Sequence, residues 1–200
     1  MTYRTVLAAA ALFTVAFTSS AKDGSYKVVS PDGHLSATVV VGKTISYSVS
    51  RDAVGLIDAS EISMTLSDGI VFGENDKVRK VRKTAVDQVI PTVAYKKSEV
   101  RDNYNELSLI FKEFSLVFRA YDEGVAYRFV SSLKKDGKVL SEKARFNFAK
   151  DWSAYVPYVA QHLETLESQY WNSFENTYTV TPLSGRTKER LAFLPIAVSA

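Results

Sequence analysis

Much of the chain alternates apolar and polar residues with a period of two, which is the pattern of β-strands whose two faces meet different surroundings. The segment HLSATVVVG places four apolar side chains on one face, and the following TISYSVSR alternates apolar residues with serine and arginine. Two strands joined by a short turn are therefore predicted. The preceding SPDGH has the residue order of a turn, so residues 26–29 are predicted to form an earlier short strand.

Three more strands are predicted between residues 105 and 132, where NELSLIF, EFSLVFRAY and GVAYRFVSS form an antiparallel meander. Asp122 and Glu123 lie in its second connection and resemble the pair of acids used in glycoside hydrolysis. Adjacent residues of a strand point to opposite faces, however, and an acidic turn ending in glycine is typical of a short hairpin. We interpret the two acids as turn residues.

A charged stretch, FGENDKVRKVRKT (residues 72–84), carries five lysines or arginines. Binding to nucleic acid is one interpretation, but the stretch lacks flanking aromatic residues on which bases could stack. We favour an edge strand or loop with a solvated face.

No helical repeat of apolar residues occurs between residues 22 and 150, and the first candidate is residues 158–171, as a short helix or an irregular loop. β-like text returns at TYTVTPL, and the sequence finishes on the apolar LAFLPIAVSA. From that apolar ending we expect the sequence to be the front part of a longer protein. The pattern predicts an all-β fold, an antiparallel β-sandwich with few short helices, as one domain over residues 22–200.

The N-terminal sequence and the composition also indicate a cellular compartment. Residues 1–21 combine Arg4, an apolar run and small residues at the −3 and −1 positions, Ser19 and Ala21, which is typical of a secretory signal peptide. No later segment approaches the roughly 20 apolar residues of a membrane-spanning helix. The chain has no cysteine, so the fold relies on its core rather than on disulfides, which favours the periplasm of a Gram-negative bacterium.

Charge and motifs exclude several function classes. Loss of residues 1–21 changes the formal net charge from +3 only by the single charge of Arg4, which argues against nucleic acid or an anionic membrane as a partner. The chain has no G-x-S-x-G, P-loop or G-x-G-x-x-G motif, and two histidines without cysteine cannot form a common zinc site. An oxygen-ligated hard cation stays open, with Glu164, Glu167 and Glu175 beside the aromatic stretch SQYWNSFENTYTV as candidate ligands.

The order of these segments resembles the N-terminal domain of glycoside hydrolase family 97. The resemblance covers about residues 26–198, rests on the two strand regions, FENTY and the final LAFLPIAV, and is strongest at FRAYDEGVAYRF. It implies a super-sandwich of the galactose-mutarotase type. It also implies that the domain packs on a (β/α)8 catalytic barrel of the same full-length chain.

The activity implied by this resemblance is that of a secreted, exo-acting α-glucosidase or α-galactosidase that hydrolyses α-linked oligosaccharides beside a bound calcium ion. The domain supplies one glutamate to the calcium, and Glu175 is the residue that the resemblance assigns, with Glu167 and Glu164 as alternatives. Trp171 is the candidate substrate-binding residue, and no catalytic residue is assigned to this chain. A competing hypothesis is a self-standing periplasmic carbohydrate-binding sandwich without catalysis.

Overall fold

A computed structural model describes residues 24–93, 95–159, 165, 167–172, 175–187 and 189–199. The chain forms two compact units, one ending at Asn147 and the other comprising Phe148–Ala200. A two-residue strand, β11 (Asn147–Phe148), lies at their boundary.

The first unit contains two antiparallel sheets. In the first sheet the strands lie in the order β1-β2-β3-β4-β10, and β5 also pairs with β4. Successive strands from β1 to β4 are joined by short turns, and Gly33 in the first turn has a φ of +84°, which a residue without a Cβ adopts without strain. The strands are β1 (Ser25–Val29), β2 (Leu35–Val41), β3 (Ile45–Arg51), β4 (Val54–Leu66), β5 (Val71–Phe72) and β10 (Val139–Ala144).

The second sheet is an antiparallel meander in chain order. Its strands are β6 (Lys80–Pro91), β7 (Glu99–Ile110), β8 (Phe114–Ala120) and β9 (Val125–Ser131). β6 is its edge strand among the described residues, as expected for the charged stretch. The second connection is a tight hairpin in which the Tyr121 N–H donates to the Gly124 carbonyl over 2.8 Å. The interpretation of Asp122 and Glu123 as turn residues is therefore confirmed.

One apolar core lies between these two sheets, which confirms the all-β sandwich. The four residues that the period-two pattern placed on one face of β2 are all buried, and so are Ile45 and Tyr47 of β3. Aromatic rings from both sheets pack together: the rings of Phe72 and Phe114 stack at a centroid distance of 4.6 Å, and those of Tyr47 and Phe118 lie tilted at 5.8 Å. Burial raises the pKa of Tyr47 to about 12, so its hydroxyl stays neutral and donates to the Arg145 carbonyl.

The second unit contains a three-stranded sheet in the order β13-β12-β14, all antiparallel. Its elements are β12 (Ser153–Val156), the 3-10 turn η1 (Ser168–Tyr170), β13 (Thr179–Pro182), the 3-10 turn η2 (Leu183–Gly185) and β14 (Ala197–Ser199). The predicted final strand is thus shorter than the run LAFLPIAV, with an isolated bridge joining Ala192 to Tyr158. Its small core consists of Ala154, Val156 and Tyr158.

Several predictions concern residues outside the described part of the chain. The signal peptide is one, and residues 160–164 and 166 of the candidate helix at residues 158–171 are another; the described end of that candidate is the short turn η1. Within the described residues, no helix has the length and apolarity needed to span a membrane.

Candidate functional site

The aromatic stretch singled out in the sequence begins at a short turn that exposes two aromatic side chains to solvent. Tyr170 is 66% exposed and Trp171, which follows η1, is 88% exposed. The turn is closed by the Trp171 N–H, which donates to the Ser168 carbonyl over 3.2 Å. Ser168 is itself fixed by reciprocal hydrogen bonds with Thr165, so two large rings project from a locally ordered backbone.

Gln169 holds this turn in place. It is only 3% exposed, although the two aromatic residues that follow it in sequence are exposed. Its Nε2 donates to the Glu189 carbonyl over 2.9 Å, and its Oε1 accepts from the Leu191 N–H over 2.5 Å. A buried amide that satisfies one donor and one acceptor of a neighbouring segment acts as a two-point clamp.

The segment held by Gln169 is also tied to β12 and its extension. The Tyr158 hydroxyl accepts a hydrogen bond from the Thr187 N–H over 3.1 Å. The Arg190 guanidinium lies 4.7 Å from the centre of the Tyr158 ring, in a cation–π arrangement, and donates to the Val159 carbonyl. We call Tyr158, Gln169 and Arg190 the polar clamp of the second unit. The sequence analysis missed it, since no local pattern distinguishes a buried glutamine from an exposed one.

Glu175 and Glu167 are exposed carboxylates. No group of three or more acidic or histidine side chains suited to a metal ion forms among the residues that the structure describes. Calcium takes six to eight oxygen ligands, so an exposed Glu175 fits the role of one ligand in a site completed by other groups. Glu164, His162 and Phe174 lie outside the described residues.

A second polar cluster lies on the face of the β6–β9 sheet that points away from the core. Glu106 of β7 is 9% exposed and accepts from Arg119 Nε of β8 over 2.9 Å and from Ser108 Oγ over 3.0 Å. The Arg119 guanidinium lies 4.1 Å from the centre of the Tyr104 ring. Burial acts to lower the pKa of Arg119, but hydrogen bonds to Tyr121 and Glu106 outweigh it, so the net shift is upward and the arginine stays charged.

A cavity of about 470 Å³ opens beside the β8–β9 hairpin, lined by Arg101, Asn103 and residues 121–126. We call it the hairpin pocket. Arg101 is fixed by two hydrogen bonds to Asp87, from Nε over 2.8 Å and from Nη2 over 2.7 Å. Asp122 Oδ1 accepts the Asp32 N–H over 2.9 Å, which attaches the hairpin to the turn after β1. The walls of the pocket are thus held by contacts on both sides.

The family is decided by the match between residues 28–200 and the family described as "Glycosyl-hydrolase 97 N-terminal". The chain belongs to glycoside hydrolase family 97. The resemblance found in the sequence is therefore confirmed, and the family's N-terminal domain accounts for the sandwich of the first unit and for the second unit alike.

A curated relative in this family is 42% identical over 177 residues, a retaining alpha-galactosidase of Bacteroides thetaiotaomicron. The match covers 88% of the present chain but 27% of the relative, so the chain spans about a quarter of that protein's length.

Solved structures share the fold. A variant of a glycoside hydrolase family 97 enzyme from Pseudoalteromonas sp. strain K8 superposes with a TM-score of 0.69 at 22% identity, covering 86% of this chain and 26% of that enzyme. A beta-arabinopyranosidase superposes with a TM-score of 0.68 at 23% identity, covering 82% of this chain and 27% of the other. At such identities the likeness describes the fold alone.

Proposed function

We propose that the full-length protein is a secreted exo-acting α-glycosidase, with α-galactosidase activity favoured over α-glucosidase activity, and that this chain is its N-terminal domain. The observation that carries the proposal is the 42% identity to a retaining alpha-galactosidase over nearly the whole chain. The domain packs on a (β/α)8 catalytic barrel of the same polypeptide and contributes to the substrate and calcium sites. The alternative of a self-standing carbohydrate-binding module is not favoured, because the match is to a domain of hydrolases.

A retaining course uses two carboxyl groups about 5–5.5 Å apart, one as nucleophile and one as acid and then base. No residue of this chain is assigned to either role. The chain's own contribution is to position: the polar clamp fixes the backbone from which Trp171 projects, and an exposed indole offers a flat apolar face to a sugar ring.

Glu175 is the residue proposed to bind calcium. Its carboxylate is exposed four residues after Trp171, so it is free to reach a metal ion held mainly by other groups. When bound, calcium would supply a local positive charge that polarises an oxygen of the substrate or water. Glu167 and Glu164 are the alternatives if Glu175 has no such role.

The test uses the full-length protein, with p-nitrophenyl α-galactoside and α-glucoside as substrates, with and without a calcium chelator. We expect hydrolysis of the galactoside to be faster and to be lost with the chelator. Glu175→Gln should weaken calcium binding, measured by calorimetric titration with calcium alone, by at least about tenfold, since one ligand charge is removed. Glu167→Gln tests the alternative ligand and should leave calcium affinity unchanged if Glu175 is the ligand. Full activity and unaltered calcium affinity in Glu175→Gln would reject the assignment of that residue.

Trp171 has its own test. Trp171→Ala should raise KM for an oligosaccharide more than it changes kcat, because the indole is proposed to bind rather than to react. Tyr155→Ala, at another exposed aromatic residue of the second unit, is the control. Equal KM values for the wild type and Trp171→Ala would remove Trp171 from the substrate site.

Secretion is the remaining part of the proposal. Residues 1–21 have the features of a signal peptide, so the mature protein should begin at Lys22. N-terminal sequencing of protein recovered from a periplasmic extract checks this. A protein found in the cytoplasm that retains Met1 would contradict it.

A further inference from the structure

The hairpin pocket contains polar groups that the sandwich itself does not use. Asn103 is half-buried on β7, yet its side-chain amide makes no hydrogen bond to any residue that the structure describes. The carboxylate of Glu123, an exposed residue of the hairpin, likewise makes no hydrogen bond to a described residue, and its backbone is fixed by the Tyr121–Gly124 hydrogen bond. The Asn103 amide is not among the buried polar atoms left without a partner in the described residues, so it is open to solvent and available to a ligand.

The position of Asn103 explains why it stays unpaired. It lies two residues before Asn105 on the same face of β7, and the Asn105 Nδ2 donates to the Val29 carbonyl of β1 over 2.8 Å. Asn105 therefore helps to join the two sheets, while Asn103 lines the open end of the sandwich beyond that junction. The pocket is a gap between the β7 extension and the hairpin rather than a packing defect of the core.

The charges of the pocket select the class of ligand. Arg101 is neutralised by its two hydrogen bonds to Asp87, and Asp122 and Glu123 add two further negative charges. Such a surface disfavours phosphate or other anions. Carboxylates accept hydrogen bonds from hydroxyl groups, an asparagine amide both donates and accepts, and the guanidinium keeps further N–H donors. Val125 and Ala126 add apolar wall beside these groups.

We propose that the hairpin pocket is an accessory carbohydrate site that binds a neutral pyranose through its hydroxyl groups, with Asn103 and Glu123 as the main contacts. A cavity of about 470 Å³ is within the size range of small-molecule sites and holds one or two sugar rings. The proposal rests on the proposed function for the choice of glycan, since an accessory site in a glycosidase would bind the same chains that the barrel cleaves.

The test is calorimetric titration of the full-length protein with methyl α-galactoside, methyl α-glucoside and an α-galactosyl disaccharide, after the catalytic site has been saturated with an iminosugar inhibitor. We expect binding of at least one of these sugars to persist with the inhibitor present. Asn103→Leu and Glu123→Gln should each weaken that residual binding by about tenfold, the loss expected for one or two hydrogen bonds. Glu99→Gln, on the same strand but outside the pocket, should leave it unchanged.

Hydrolysis of p-nitrophenyl α-galactoside by the same variants separates this proposal from the proposed function. Unchanged rates in Asn103→Leu and Glu123→Gln, together with weaker residual binding, support a site distinct from the catalytic one. Titrations that are flat with the inhibitor present, or residual binding that both variants retain, overturn the pocket assignment. If the wild type hydrolyses no α-glycoside, the proposed function fails, while the titration with the three sugars still decides the pocket.

Discussion

Among the residues that the structure describes, the sandwich unit buries sixteen apolar side chains in one cluster, whereas the three-stranded sheet of the second unit buries three. The second unit instead contains the polar clamp, in which a buried glutamine and an arginine hold neighbouring backbone segments. Apolar burial is spread over a large surface and stabilises a unit as a whole, while a hydrogen bond acts on the two segments that it joins. The two units should therefore respond differently to substitution.

The largest effect is expected in the sandwich core. Phe118 is fully buried and contacts the rings of Tyr47 and Tyr127, so Phe118→Ala removes a large side chain from a place that cannot collapse fully. We expect a loss of about 3–5 kcal/mol in the free energy of unfolding. Urea unfolding followed by far-ultraviolet circular dichroism measures it. Val130→Ala, at a 42% exposed position of the same sheet, is the control and should have little effect; equal losses would contradict the comparison.

An intermediate loss of stability is expected on substitution in the polar cluster of Glu106 and Arg119 on the sandwich. Glu106→Gln keeps the shape of the side chain but removes the charge that Arg119 faces at 2.9 Å. Because both side chains are largely buried, we expect a loss of about 1–3 kcal/mol, the range for a hydrogen bond to a charged group. Asp87→Asn weakens an exposed, solvent-screened ion pair with Arg101 in the same sheet and should cost clearly less. A smaller effect for Glu106→Gln than for Asp87→Asn would contradict the role of burial.

A more local effect is expected in the second unit. Gln169→Ala leaves the Glu189 carbonyl and the Leu191 N–H without their partner, at a cost of about 1–3 kcal/mol for the loss of buried hydrogen bonds. Hydrogen exchange should increase at residues 168–171 and 189–191 and stay unchanged in β7 and β8. The fluorescence of Trp171, which follows the turn, should change in the same variant because the backbone that carries its indole is less firmly held. Faster exchange throughout the sandwich would show that the clamp stabilises more than its own unit.

The smallest effect concerns pH. The hydrogen bond to Asp52 raises the pKa of the exposed His34, so the imidazolium form is favoured in the folded chain. The stabilisation is fully present below the unfolded pKa, near 6.5, and is lost as pH rises through the higher folded pKa. His34→Gln should flatten the pH dependence of the melting temperature in that window. The titration of the His34 ring protons by NMR gives the folded pKa directly, and a value at or below the ordinary one would refute the prediction.

The period-two pattern was sufficient to predict the sandwich, because a strand with one buried face has apolar residues at alternate positions, as β2 does. It was insufficient for β4, whose thirteen residues mix exposed and buried positions as the strand passes register shifts against β3. Alternation along β7 puts Glu106 and Ser108 on the face opposite the apolar core, yet both are buried. They are buried because Arg119 and its neighbours on the adjacent strand cover them, and cross-strand pairing cannot be read from one strand.

In the candidate site, too, some features could be predicted from the sequence and others depend on contacts formed only in the fold. The sequence named Trp171 as the candidate substrate-binding residue, and the structure adds that its side chain is 88% exposed. Gln169, two residues earlier, looks like any polar residue of the stretch. Its importance comes from Glu189 and Leu191, which are about twenty residues away in sequence and become its partners only through the fold.

The basic residues that open β6 have a consequence for how separate copies of the protein meet. An edge strand of twelve residues offers unpaired main-chain groups to any other strand, which is the usual beginning of aggregation. Lys80, Arg82 and Lys83 are all exposed on this edge, so two copies that tried to pair there would bring like charges together. The basic residues of this stretch, for which nucleic-acid binding was one interpretation, are thus better understood as protection of the sandwich against edge-to-edge pairing with a second copy.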